Sequence, residues 1–357
     1  MVGKFAPLHA GHRLVIKTAA ASCDQVVILS WGNPEPARCP PSVREGWLAE
    51  LYPRAARLVV PAGDPGNEWP RGSGPPRDDG PEVDQRRYAG YLCETVLGLA
   101  VDAVFTSEAY GDGFAEELTA WFRRRDPAYP RVVHVPVDPE RRAYPVSGTA
   151  IRADPHGMRS WLDPAVYASF VDRVCILGGE SSGKTTLAAA LAARHGTAWV
   201  PEYGRELWTE RRGNLSYGDL LAIARRQVDA EEAAARCAIR LLFCDSSPLT
   251  TRLYSLDLFG RSDPELDELA RRTYALSVLC APDFPFVQDG TRVGPAYRAA
   301  QHARHVEALA SRGTPYVVAA GNLAERLETV DAALSAAGLI AASTAGAPES
   351  GSTRPPC

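Results

Sequence analysis

At 357 residues the chain is longer than one ordinary hydrophobic core organises, so two domains of about 150 to 180 residues are expected. A net charge of −4 excludes a broadly basic nucleic-acid surface and leaves at most a local basic groove. No apolar run approaches the roughly 20 residues of a membrane-spanning helix, and Met1 leads directly into motif and not into a signal peptide, so the expectation is a cytoplasmic metabolic enzyme with no membrane or nucleic-acid partner. The eight cysteines (Cys23, Cys39, Cys93, Cys175, Cys237, Cys244, Cys280, Cys357) form no C-x-x-C pair, as expected of reduced core or surface thiols. Lysine is scarce: of 39 basic residues only Lys4, Lys17 and Lys184 are lysine, and two of these three lie in phosphate-binding motifs. A compact ammonium that approaches phosphate as a point charge is a reason to retain one.

Residues 1–5 read as the end of a strand, and G-K-F-A-P-L-H-A-G-H, beginning at Gly3, turns from it into a helix over 13–21. Gly11 permits close approach of the backbone. His9 and His12, three residues apart at a helix start, can both face a triphosphate placed over that N-terminus. The strand before Gly3 is a stub, so either about four to eight mostly apolar residues are expected upstream of it or the domain tolerates a clipped central strand. Further strands are expected over 25–31, 57–60, 103–106 and 132–137, with helices over 43–52, 82–99 and 114–124. This alternation is that of a doubly wound parallel sheet. Trp31, at a strand's end, is a candidate to stack a pyridine ring, the competing reading for it and for Trp47 and Trp69 being core. Residues 61–81, dense in Pro, Gly and Asp, read as a surface loop without chemistry. In V-S-G-T-A-I-R at 146–152, Ser147 and Thr149 can cap a helix and hydrogen-bond phosphate while Arg152 supplies charge, a plain N-cap being the alternative.

The stretch over 174–187 reads as strand, loop and helix, and its loop fits G-x-x-x-x-G-K-[ST]. Gly178 and Gly183 let the backbone wrap inward, so that Gly179, Glu180, Ser181, Ser182 and Thr186 with the helix start surround ATP phosphates. Lys184 would reach the β/γ-phosphates and Thr185 would hold Mg²⁺. A strand over 198–201 ends in Glu202, Tyr203, Gly204 and Arg205, at the carboxyl edge where ligands of such sheets bind. After a helix over 222–238, an apolar strand beginning at Leu241 delivers Asp245 to the phosphate end, either as a carboxylate organising Mg²⁺ or as the cap of the next helix. Residues 282–292 with Arg298 resemble the lid of small-molecule kinases, in which Arg292 and Arg298 would fold over the ATP phosphates. His302 and His305 have no accompanying carboxylate and read as a solvated helix face, not a metal pair. A last strand is expected over 315–319, Gly321 and Arg326 are placed to border adenine, and 341–357 read as a disordered tail.

G-K-F-x-P-L-H-x-G-H with S-x-T-x-x-R resembles the nucleotidyltransferases that move an adenylyl group from ATP. Taken with L-G-G-E-S-S-G-K-T-T-L, E-Y-G-R and D-G-x-R, the motifs over about residues 1 to 335 resemble the NadR-type family. That family joins a nicotinamide mononucleotide adenylyltransferase to a ribosylnicotinamide kinase. The resemblance implies an α/β protein of two domains, each a doubly wound parallel sheet: an H-x-G-H nucleotidyltransferase domain over 1–168 and a P-loop kinase domain over 169–340. It implies that Gly3, Lys4, Phe5, His9, His12, Ser147, Thr149 and Arg152 bind the ATP of adenylyl transfer. Glu202 would contact the riboside hydroxyls and serve as base with Asp245 on Mg²⁺, two roles that remain exchangeable, and Trp31, Glu202, Tyr203 and Arg205 would border substrate. The implied partners are ATP, nicotinamide riboside and nicotinamide mononucleotide, and a homo-oligomer is compatible with the sequence. Some relatives carry an N-terminal helix-turn-helix segment, and the motifs present here imply none. The alternatives are a chain in which only the kinase half works beside a nucleotide-sensing first domain, and a P-loop regulatory ATPase.

Overall fold

In the computed structural model, which describes residues 1–63, 68–69, 72–288 and 293–341, the chain divides into two units, Met1–Phe170 and Val171–Cys357. The sequence reading's tail falls almost wholly outside the described residues.

In the first unit, β1 (Val2–Gly3), β2 (Val27–Ser30) and β3 (Ala56–Val59) form a parallel sheet in that order. A short antiparallel pair follows, β4 (Glu68–Trp69) with β5 (Gly72–Ser73), and then a parallel pair, β6 (Ala103–Thr106) with β7 (Val133–Pro136). The expected single doubly wound sheet is therefore divided here. Two residues of β1 suffice to pair Val2 with Leu29 and Gly3 with Ser30, and among the described residues β1 pairs with no other strand. Side chains join the parts instead: Met1, Val15, Ala19, Phe105 and Val137 form one apolar cluster. The helices Ala10–Ser22, Pro41–Leu51, Glu82–Tyr91 and Gly111–Arg123 connect the strands, the third running on into a π-turn over Leu92–Val96. Trp31 is 4% exposed, donates its indole N–H to Gln85 Oε1 (2.9 Å) and meets Tyr88 edge-on. It is a core residue, which corrects the stacking expectation.

The second unit is a five-stranded parallel sheet: β8 (Asp172–Leu177), β9 (Trp199–Val200), β10 (Leu241–Asp245), β11 (Leu276–Cys280) and β12 (Tyr316–Ala319), in the order β12-β11-β8-β10-β9. Strand β11 has no counterpart in the sequence reading, yet it completes the crevice on one side of β8. Alternation along β8 explains its continuous apolar run, because both faces are covered. Val174 and Ile176 pack with Leu187, Leu191 and Val330 on one face, and Cys175 and Leu177 with Leu249, Leu279 and Leu309 on the other. Strand order reverses at β8, so the carboxyl end of that strand opens between β10 and β11, where such sheets bind ligands. Cys23, Cys39, Cys93, Cys175, Cys244 and Cys280 are free thiols. Among the described residues no helix is long and apolar enough to cross a membrane.

Candidate functional site

The turn out of β8 depends on two glycines. At Gly178, φ is +145° and a Cβ would lie 2.6 Å from Ser182 Oγ, and at Gly183 φ is +82°. Both conformations are strained for residues with a Cβ. Within the loop, Ser182 Oγ and Lys184 Nζ both donate to the Gly179 carbonyl, at 2.7 and 3.1 Å, with Lys184 buried. Helix Lys184–His195 begins at Gly183 without a side-chain cap, leaving its first N–H groups to an anion. Thr186 is exposed on its first turn.

Thr185 Oγ1 donates to Asp245 Oδ2 at 2.5 Å, which joins the P-loop helix to the end of β10. Asp245 is 1% exposed and its Oδ1 has no hydrogen-bond partner among the described residues. Burial pushes its carboxyl up to about 6, opposed by Lys184 and assisted by the negative charge of Glu202. Glu202 is half-buried at the end of β9, where it precedes helix Tyr203–Glu210 as the N-cap residue. Burial and the same Glu202 charge raise the Tyr254 phenol. The Tyr203 N–H donates to Gln227 Oε1 at 3.1 Å, and Arg205 is exposed but close enough to act on Asp245. The structure thus brings Lys184, Thr185, Asp245, Glu202 and Arg205 to one edge of one sheet.

Other expected contacts are replaced. Arg298, 9% exposed, donates to the Ser181 and Phe284 carbonyls at 3.3 and 3.0 Å, so its guanidinium braces the loop instead of extending over it. Arg326 does not border an open pocket: it is 3% exposed and donates to the carbonyls of Gly321, Ser182 and Ala281 and to Asp283. Glu180 accepts from the N–H groups of Val293 and Gly294 at 3.1 and 2.8 Å, at the head of helix Pro295–Ser311, while Ser181 Oγ accepts from Val287 N–H at 3.2 Å. His305 corrects the solvated-face reading. It is 2% exposed, bonds the Gln301 carbonyl (2.8 Å) and Thr250 (3.1 Å), and burial lowers its imidazole to about 4. Arg292 lies outside the described residues.

In the first unit the two distant motifs meet. A Cβ on Gly148 would be 3.1 Å from the Ala6 carbonyl, and Arg152 donates to that carbonyl and to Thr149 Oγ1 (3.0 Å). Ser147 caps helix Gly148–Ala153 by accepting from Ala150 N–H at 3.2 Å. His9 and His12 stack with ring centroids 3.8 Å apart, Phe5 packs edge-on to His12, and the His9 N–H donates to His12 Nδ1 at 3.4 Å. His12 Nδ1 is therefore an acceptor, and a neutral ring carries its proton on Nε2. Burial lowers His9 to about 4 and His12 well below its ordinary value, and Arg141, held by Glu108 at 2.9 Å, lowers both further. His9 Nδ1 is buried without a partner. Lys4 pairs with Asp78 at 2.7 Å, and Gly3 sits against the Phe5 ring. Two arginines absent from the sequence reading organise this turn: Arg141, and the fully buried Arg44, which donates to the Lys4 and Cys39 carbonyls, Ser30 and Glu35. Arg44 had a signal, since Trp47 and Leu48 three and four residues on mark its helix face as buried.

The AAA-domain family model matches residues 173–326, which contain the P-loop, β9, β10 and Arg326. The trifunctional NAD biosynthesis/regulator protein NadR of Escherichia coli (strain K12) is 29% identical over 308 residues, covering 81% of this chain and 70% of that protein. The chain resembles NadR. NadR of Salmonella typhimurium aligns over the same length at 28% identity. A crystal structure of NadR in complex with NR matches with a TM-score of 0.67 at 22% identity, covering 97% of each chain, and shows that the fold is shared.

Proposed function

We propose that the chain makes NAD in two steps, phosphorylating nicotinamide riboside with ATP in the second unit and transferring adenylyl from ATP to nicotinamide mononucleotide in the first. The carrying observation is the convergence of Lys184, Thr185, Asp245 and Glu202 at the carboxyl end of the β8 sheet. A nucleotide switch needs the first three, and Glu202 adds a carboxylate suited to a small hydroxyl acceptor. NadR has been crystallised with NR and with NAD and AMP-PNP, the latter matching with a TM-score of 0.67 at 21% identity over 97% of each chain, which supports the substrate class.

Magnesium fits the residues present. Asp245 Oδ1 is a buried carboxylate oxygen without a partner, beside the Thr185 hydroxyl, and hard oxygen donors suit this ion. Among the described residues no three His, Cys, Asp or Glu side chains converge on a metal site, as suits an ion that is completed by phosphates and water. When bound by Thr185 and Asp245 it would neutralise phosphate charge. Lys184 places its ammonium at the β/γ-phosphates, the loop N–H groups hold their oxygens, and Glu202 accepts the proton of the riboside hydroxyl that attacks the γ-phosphorus, giving the mononucleotide and ADP. In the first unit His12 Nε2–H, Arg152 and the helix start hold the triphosphate while a phosphate oxygen of the mononucleotide attacks the α-phosphorus and pyrophosphate departs. Positioning and charge stabilisation lower both barriers.

The test incubates the pure protein with ATP, Mg²⁺ and either nicotinamide riboside or nicotinamide mononucleotide, with products identified by mass. NAD from both substrates supports the reading. Mononucleotide accumulating from the riboside without NAD would reduce it to a kinase, and ATP hydrolysis without either product would favour the regulatory ATPase.

A further inference from the structure

Gln227 occupies an apolar position. On helix Tyr217–Ala235 it follows Leu220, Ile223 and Ala224 on the buried face and is itself 3% exposed. Glu231, the next polar residue on that face, is fully engaged by Arg272 and Tyr274. Gln227 is not: its Oε1 accepts from Tyr203 N–H at 3.1 Å, and its Nε2 is buried with no partner among the described residues. Rotating the amide by half a turn does not relieve this, because it would set an NH₂ group against the Tyr203 N–H. The position therefore presents an unused donor.

We propose, resting on the kinase reading, that Gln227 is a specificity residue of the riboside site, whose Nε2–H donates to an acceptor oxygen of the phosphoryl acceptor, either a ribose hydroxyl or the carboxamide carbonyl. Three observations place it there. Its acceptor oxygen ties down the first N–H of helix Tyr203–Glu210, the residue adjoining Glu202. One turn earlier, Ile223 Cγ2 lies 3.4 Å from the Cβ position of Gly204, which is itself 3.7 Å from Glu202 Oε1, so this helix face reaches the carboxylate. Tyr254, whose phenol responds to Glu202, belongs to the same apolar cluster as Ile223 and Ala224. A buried amide N–H without a partner is strongly unfavourable, and a ligand oxygen removes that penalty only when the right substrate is bound. A site built this way discriminates against analogues that lack the oxygen.

Gln227→Glu separates the two ends of the amide. It keeps an oxygen for the Tyr203 N–H and puts another in place of the donor, and at about pH 8.5 a carboxyl of moderately raised pKa is ionised. With the full chain, ATP and nicotinamide riboside, the riboside KM is expected to rise about 10- to 100-fold while the ATP KM holds; the buried carboxylate lowers the melting temperature, so the split between the two KM values is the readout. A pyridine riboside without the carboxamide identifies the oxygen. If wild type and variant use it alike, the carbonyl is the acceptor, and if the variant keeps its penalty, a hydroxyl is. An unchanged KM for nicotinamide riboside overturns the proposal, as does a parallel rise of both KM values, which marks a structural role. Failure of the wild type to phosphorylate any riboside fells the kinase reading as well, and is thus distinguishable.

Discussion

Asp245→Asn should make the protein more stable and inactive as a kinase, and the gain should depend on pH. Asp245 titrates near 6 when folded against 3.8 for the free side chain, chiefly because burial disfavours its charge. Between those values the folded chain binds more protons than the unfolded one, so this carboxyl's contribution is full below about pH 4 and is lost as pH rises through about 6. At 1.36 kcal/mol per unit, ionising it in place costs about 1 kcal/mol at pH 4.5 and about 3 kcal/mol at pH 7.5. Asparagine keeps the acceptor for Thr185 Oγ1 and avoids that cost. At about 2 to 4 °C per kcal/mol for a unit of this size, its melting advantage should grow by roughly 4 to 8 °C between the two pH values. Calorimetry of both proteins at each pH, without nucleotide, measures it. Mg²⁺ with ATP should shrink the difference by giving the wild-type carboxylate its counter-charge. An advantage that is equal at the two pH values would refute the argument that Asp245 is held ionised against burial.

Lys184→Ala and Lys184→Arg should each lose riboside phosphorylation by at least about 10²-fold while adenylyl transfer to supplied mononucleotide persists, because the buried ammonium, 3.1 Å from a loop carbonyl, acts as a compact point charge and a guanidinium is a planar fork of different reach. Loss of both activities in a folded variant would point to coupled ATP sites. The imidazoles of His9 and His12 should remain neutral at about pH 5.5, where an ordinary histidine is mostly charged; a nitrogen-15 titration with a midpoint near the ordinary value for either ring contradicts this. Arg326→Met should destabilise the second unit by about 3 kcal/mol, since three loop carbonyls and Asp283 lose their donor. A denaturation midpoint equal to wild type would show that these groups find other partners.

What could be read from the chain was local. The P-loop is legible because its function needs glycine, lysine and threonine at fixed spacing along one turn, and β6 was legible to the residue because three apolar residues and a threonine lie between clear punctuation. Strand β11 was not, because Ser277 interrupts its apolar run and five residues are too few for periodicity to mark a strand, although the motif beginning at Pro282 follows directly. Division of the first sheet was illegible for another reason. Strand pairing is a long-range property, and nothing in residues 1–5 says whether the neighbour across a stub is joined by hydrogen bonds or by the packing of Met1 against Phe105.

Side-chain roles failed in one direction. Arg298, Arg326 and His305 were read as outward groups, facing phosphate, adenine or solvent, and each is an inward brace that holds a loop carbonyl, a helix or a neighbouring hydroxyl. A guanidinium has five donors in a fixed plane, so it satisfies several carbonyls of an irregular loop at once, and a glycine-rich turn has many carbonyls that no helix or strand will pair. In a chain that uses arginine for almost all its positive charge, an arginine near such a loop is then as suited to building the phosphate site as to touching phosphate. Lys184 differs because its single ammonium, held at one carbonyl, keeps two further N–H donors for a ligand. The same accounting leaves Asp245 Oδ1 and Gln227 Nε2, with Arg173 Nε, Ser262 Oγ and His302 Nδ1, without a partner among the described residues of the unit, whereas Glu231 and Arg326 are satisfied by protein; of these five, Asp245 and Gln227 are the two tied to the P-loop helix and to the residue beside Glu202.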